Sequence, residues 1–116
     1  MPPVSAHAAL ELWRRATLAG VRGSGPDLTQ RQTALLLTVY LRPAPHTVRG
    51  LAEALGCSKP AVSRAVDRLC ALDYLRRRRD ERDRRSILLL RTLKGSMHLR
   101  DFAEEIRRAL KALEAQ

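Results

Sequence analysis

Apolar residues recur at helical spacing through most of the chain and switch to strand spacing once. Ser5 can cap a helix running to about residue 19, with Ala6, Leu10, Trp13 and Ala16 or Thr17 on one side. Gly20, Gly23, Ser24, Gly25 and Pro26 predict its end. Thr29 opens a second helix, and Gln32 three residues on gives the spacing of a capping box. Leu36, Val39 and Tyr40 continue that helix until Pro43 and Pro45 stop it. Thr47 caps a short third helix through Leu55, and Gly56 supplies a left-handed stop. Ser58 caps a fourth, with Pro60 in the first turn, where a missing N–H costs nothing. Val62, Val66 and Leu69 form its buried stripe, which leaves Lys59, Ser63, Arg64, Asp67 and Arg68 on the other side. The third and fourth helices with their tight turn read as a helix-turn-helix.

After Leu72 the period changes. Tyr74, Leu75, Arg76 and Arg77 read as a short strand, residues 80–83 as a charged turn, and residues 86–91 as a second, apolar strand. Thr92 then caps a last helix of about 22 residues, roughly 33 Å long at ~1.5 Å per residue. Leu99, Phe102, Ala103, Ile106, Leu110 and Leu113 form its apolar stripe. A core this small cannot cover a stripe of that length. Its outer part, with the first helix beside it, is therefore expected to pack on another chain through Leu10, Trp13, Phe102, Ile106, Leu110 and Leu113. The predicted fold class is mainly α with a small β-hairpin wing: a winged helix-turn-helix with flanking N- and C-terminal dimerisation helices. The predicted boundaries are residues 1–27 for the first helix and linker, 28–91 for the winged region and 92–116 for the last helix.

Charge narrows the function. The 116 residues carry 22 Lys and Arg against 12 Asp and Glu, a formal net charge of +10, which points to a polyanionic partner. Hydrophobic residues make up 45% of the chain, so it folds rather than acting as a disordered basic tail. Half of the excess, +5, lies in residues 74–91, which hold eight arginines. Taken alone, such a run is as readily a solvated face. Only four aromatics occur, Trp13, Tyr40, Tyr74 and Phe102, too few for a binder that stacks single-stranded bases. The longest apolar run is short, so no membrane span is expected, and no signal peptide is visible. Cys57 and Cys70 make no CxxC pair, which fits a reducing cytoplasm, and His7, His46 and His98 show no metal-ligand spacing, so neither metal nor cofactor is expected.

Residues 28–32 (Leu-Thr-Gln-Arg-Gln), 47–56 (Thr-Val-Arg-Gly-Leu-Ala-Glu-Ala-Leu-Gly) and 58–69 (Ser-Lys-Pro-Ala-Val-Ser-Arg-Ala-Val-Asp-Arg-Leu) resemble the MarR family, the multiple antibiotic resistance regulators. The segment Asp80-Glu81-Arg82-Asp83-Arg84-Arg85, followed by Thr92 and Lys94-Gly95, is similar to that family's wing signature. Each motif alone is weak, but their order and spacing together are specific over about residues 28–95. Two positions depart from the pattern. Arg91 stands where the family usually has Leu, and Asp73 where it usually has Gly, although Asp tolerates the left-handed region better than most residues. The chain ends are also shorter than is common in the family.

The resemblance implies a homodimeric regulator of transcription in the cytoplasm, commonly a repressor, that binds double-stranded DNA at a pseudo-palindromic operator. The fourth helix would enter the major groove, where each base pair shows a distinct donor and acceptor pattern. Arg64 is the expected base reader, because a guanidinium can grip guanine O6 and N7 together. Ser58, Lys59 and Ser63 lie toward the end that approaches bases or phosphates, Pro60 and Ala61 could offer apolar contacts, and Arg68 suits a phosphate. For Ser58 the competing reading is pure capping, and for Arg64 a surface phosphate contact. In the hairpin, Arg79, Arg82, Arg84 and Arg85 are candidates for the minor groove, with Arg82, Arg84 and Arg85 not separable as the inserting residue. The resemblance implies that Asp83 and Arg85 pair to hold the wing. Arg76 to Arg79 divide between phosphates and solvent, while Arg31, Thr47 and Arg49 suit the DNA backbone.

Two other classes compete: a winged-helix module that docks on protein, and a sequence-neutral architectural DNA-binding protein. Catalysis is not expected, since no histidine accompanies Ser58 or Ser63 in their motif and no Gly-rich phosphate loop occurs. Effectors are weaker candidates. Cys57, just ahead of the fourth helix, could serve a redox effector, and Trp13 with His7 a small-molecule effector between chains; packing is the ordinary reading of all three.

Overall fold

The computed structural model describes residues 3–115. The elements run α1 (Ala6–Arg22), α2 (Gln30–Leu41), α3 (Val48–Leu55), α4 (Lys59–Ala71), β1 (Leu75–Arg79), β2 (Ile87–Arg91) and α5 (Leu93–Glu114). The chain forms two compact units. One is Leu28–Ser96; the other joins the chain up to Asp27 with the chain from Met97 onward, so the first turn of α5 belongs with the winged unit.

Local signals set the helix ends. Thr29 and Gln32 form a full capping box, with Gln32 N–H donating to Thr29 Oγ1 at 3.1 Å and Thr29 N–H to Gln32 Oε1 at 3.0 Å. Thr47 Oγ1 accepts from Gly50 N–H at 3.0 Å, and Ser58 Oγ from Ala61 N–H at 3.3 Å. Each cap satisfies a donor that the first helical turn leaves orphaned. Gly56 ends α3 at φ 67°, and Asp73 adopts φ 61° after α4, so the left-handed turn forms there without glycine.

The core of the winged unit comes from one stripe of each element. Leu35, Leu36 and Val39 of α2 are buried with Leu51 of α3, Val62, Val66 and Leu69 of α4, Leu75 of β1 and Leu89 of β2. Full burial of each such side chain contributes about 1.5–3 kcal/mol. The hairpin is antiparallel, with Leu75 opposite Arg91, Arg77 opposite Leu89 and Arg79 opposite Ile87. Leu89 N–H also donates to the His46 carbonyl at 2.9 Å, which anchors β2 to the segment before α3.

The strands differ from the sequence expectation. β1 extends to Arg79 because Arg78 and Arg79 find partners in Leu88 and Ile87, despite the charge of the run. Ser86 closes the loop instead of starting β2: its N–H donates to the Asp83 carbonyl at 2.9 Å, and its carbonyl accepts from Asp80 N–H at 3.0 Å.

In the other unit, α1 continues past the expected stop at residue 19 to Arg22. Gly20 does not break it. A Cβ there would lie 3.1 Å from the Phe102 ring, so the missing side chain makes room for that ring. The His98 and Phe102 rings meet edge to face at 5.2 Å, and Ala109 is buried. Leu10 and Trp13, in contrast, are 61% and 60% exposed. Ile106 and Leu110 are also exposed, while Phe102 and Leu113 are half-buried.

Candidate nucleic-acid interface

The α4 stripe that fills the core dictates what the helix presents outward. Ser58, Lys59, Pro60, Arg64, Asp67 and Arg68 are exposed, and Ser63 is half-buried. Arg64 enters no hydrogen bond or ion pair within the described residues, so its guanidinium is available to a ligand. Ser58 spends its oxygen on the cap but keeps its hydroxyl proton. Ala61 is 9% exposed, one residue before Val62 in the core, so its methyl offers little surface outward.

The hairpin supplies a second basic surface. Arg76, Arg78, Arg79, Arg82, Arg84 and Arg85 are all exposed. Its loop is shaped by two carboxylates that accept backbone N–H groups two residues on: Asp80 Oδ1 from Arg82 at 2.9 Å, and Asp83 Oδ1 from Arg85 at 3.1 Å. Asp83 and Arg85 are therefore joined, but through the Arg85 backbone. This corrects the expected side-chain pair and leaves the Arg85 guanidinium in solvent. Ser86 Oγ donates to the second Asp83 oxygen at 3.4 Å. Arg78, Arg79, Asp80, Glu81 and Arg84 line an open basin of about 520 Å³ at the base of the loop.

Arg31 and Arg49 are exposed near the starts of α2 and α3, while Thr47 is half-buried with its oxygen used in capping. Residues 28–96 hold fifteen of the basic and six of the acidic residues, so +9 of the net +10 lies in the winged unit. Fields of one sign over a single unit concentrate polyanions there.

Three features escape sequence reasoning. Tyr40 on α2 joins both ends of the hairpin through its hydroxyl, near the Tyr74 carbonyl (2.8 Å), the Thr92 N–H (2.9 Å) and the Thr92 carbonyl (3.0 Å). Arg91 Nε donates to the Val39 carbonyl at 3.1 Å and its Nη2 to the Arg42 carbonyl at 3.4 Å, so it caps the C-terminus of α2. The third is an ion pair between Asp67 of α4 and Arg77 of β1. Only the Arg91 contact had a signal in the sequence, its departure from the family pattern.

The MarR family profile matches residues 27–86, just over half of the chain. The chain belongs to the MarR family. Solved structures share its winged-helix fold. The transcriptional regulator Tm0710 from Thermotoga maritima is 26% identical, with a TM-score of 0.74 over 94% of this chain and 71% of that one. A point mutant of S. aureus MepR bound to an oligodeoxyribonucleotide is 22% identical, with a TM-score of 0.83 over 95% of this chain and 78% of that one. An S. aureus MepR–DNA complex is 19% identical, with a TM-score of 0.73 over 95% and 85%. No curated protein sequence matches the chain. Among the described residues no helix is long and apolar enough to cross a membrane, and no cluster of three or more His, Cys, Asp or Glu could hold a metal ion.

Cys57 is half-buried, with its Sγ 3.6 Å from the Leu55 carbonyl. Burial pushes the Cys70 thiol up, away from the reactive thiolate.

Proposed function

We propose that this MarR-family protein is a sequence-specific, double-stranded DNA-binding regulator of transcription, acting as a homodimer and as a repressor at a pseudo-palindromic operator. The observation that carries this reading is the outward face of α4. Its N-terminal half offers Ser58, Lys59, Pro60, Ser63 and an unpaired Arg64, with Arg68 one turn further. A helix with this face fits the major groove, and its N-terminal residues are the ones that approach base edges.

Arg64 reads guanine, where one bidentate contact discriminates by ~1–3 kcal/mol. Lys59 and Arg68 take phosphates and set the register, as do Arg31, Thr47, Arg49 and Arg76 from neighbouring elements. The hairpin reaches the adjacent minor groove with Arg79, Arg82, Arg84 and Arg85, whose charge is attracted most strongly where that groove is narrow. Freeing the Arg85 guanidinium from Asp83 supports this role, since an arginine already paired would have to be released first. The exposure of Leu10, Trp13, Ile106 and Leu110 supports a dimer: single apolar residues on a surface are normal, but two large ones on each of two helices favour a partner. Two-fold symmetry then calls for half-sites about one helical turn apart.

Selection of bound sequences from random duplex DNA tests the reading. The expected result is an inverted repeat with that spacing and a guanine whose preference disappears in Arg64→Ala. Recovery of unrelated sequences at equal affinity would instead mean an architectural protein.

A further inference from the structure

On the outward face of α4, Asp67 follows Arg64 by three residues, a spacing that makes two helical side chains neighbours. An exposed carboxylate beside a base-reading arginine is costly to function, because it competes with guanine for the same guanidinium. Elsewhere in this chain acid and arginine three apart on a helix do pair, a Glu coming first each time: Glu11 with Arg14 at 2.6 Å, Glu104 with Arg107 at 3.3 Å and Glu105 with Arg108 at 2.5 Å. Asp67 does not pair with Arg64. It pairs with Arg77 of β1, ten residues along the chain.

The hairpin register explains why Arg77 is the partner. Side chains alternate along a strand, so Arg77 shares a face with Leu75, which is buried, and sits opposite Leu89, also buried. Arg77 is thus carried on the face that meets the core, whereas Arg76 and Arg78 lie on the opposite face. Of the four consecutive arginines, it alone forms an ion pair among the described residues.

We propose that Arg77 is a specificity-determining positioning residue: it holds the Asp67 carboxylate away from Arg64 and so keeps the base-reading guanidinium free. The inference rests on Arg64 reading a base, as proposed above. Arg77 touches no DNA in this role and acts only through Asp67.

The test is a double-mutant cycle that reads the ratio of affinity for the selected operator to affinity for the same duplex with the Arg64-dependent guanine replaced. Full-length protein is used, and folding is checked by Tm. Arg77→Ala frees Asp67 and lowers the ratio about fivefold or more, the share that one bidentate contact supplies. Asp67→Ala keeps the wild-type ratio, since no carboxylate remains to compete. Asp67→Ala combined with Arg77→Ala restores the ratio that Arg77→Ala lost. A rigid brace between α4 and the hairpin predicts otherwise: both single variants lose the ratio and the double variant recovers nothing. That pattern would overturn the proposal, as would a wild-type ratio in Arg77→Ala. Arg64→Ala runs alongside. If it leaves the ratio at the wild-type value, the base-reading role itself fails and the proposal falls with it; if it lowers the ratio while Arg77→Ala does not, only the proposal falls.

Discussion

The Tyr40 hydroxyl accepts the Thr92 backbone N–H at 2.9 Å, a bond between residues 52 positions apart. Its own proton goes to the Tyr74 carbonyl at 2.8 Å. One side chain of α2 thus holds the entry and the exit of the hairpin that carries the arginines. Tyr40→Phe keeps the ring and removes the hydroxyl, leaving a donor and an acceptor without their partner in a partly buried site. The expected cost is about 1–3 kcal/mol, read as a lower midpoint in urea with an unchanged slope.

Gly95 fits beneath the same hydroxyl. A Cβ there would collide with the Tyr40 Oη and with the Tyr74 carbonyl oxygen, and the second is backbone that cannot swing aside. In a helix interior, Gly→Ala normally stabilises by up to about 1 kcal/mol. Gly95→Ala is expected to reverse that sign and destabilise by roughly 1–3 kcal/mol, the usual cost of overpacking. Thermal melts of the two proteins decide it.

Arg91 replaces an apolar residue with a cap. Its donors satisfy the carbonyls of Val39 and Arg42, and its guanidinium lies 5.8 Å from the centre of the Tyr40 ring. Arg91→Leu matches the more usual residue yet is expected to destabilise by about 0.5–1.5 kcal/mol, because the Val39 carbonyl loses its donor and the Arg42 carbonyl keeps only His46 Nε2, at 3.1 Å. A higher Tm in the variant would contradict the capping role.

His98 gives the unit formed by α1 and the outer part of α5 a pH dependence. Burial holds its pKa below the ordinary value of 6.5, with Asp101 opposing the shift. The folded state therefore binds fewer protons than the unfolded state below that value, and stability present above pH 6.5 is lost as pH falls from there toward the folded pKa. Tm is expected to drop between about pH 7.5 and about pH 5.5, and His98→Gln is expected to flatten that drop.

Most of the fold was legible because local chemistry and apolar spacing agree. Thr29 with Gln32, Thr47 with Gly56, and Ser58 with Pro60 mark helix ends by mechanisms that operate within a few residues. The stripe Val62, Val66 and Leu69 correctly assigned the core side of α4, and so its outward side. Gly20 misled because a close approach by Phe102 explains it better than chain reversal. The low exposure of Ala61 was not legible, because a short side chain next to the stripe can be buried without adding to its period. The Tyr40 hydroxyl, the Arg91 cap and the Asp67–Arg77 pair all depend on contacts between elements, which spacing along one helix does not encode.

The central claim is that the winged unit, with +9 of the charge, binds the DNA duplex. Titration of a labelled operator duplex at about 50 and about 200 mM salt tests it most directly. Neutralising roughly six to ten phosphates should weaken affinity by about 10³ to 10⁵ over that range, and removing one phosphate-contacting arginine should reduce the slope by about one. No binding at the lower salt, or binding that salt leaves unchanged, would contradict the account.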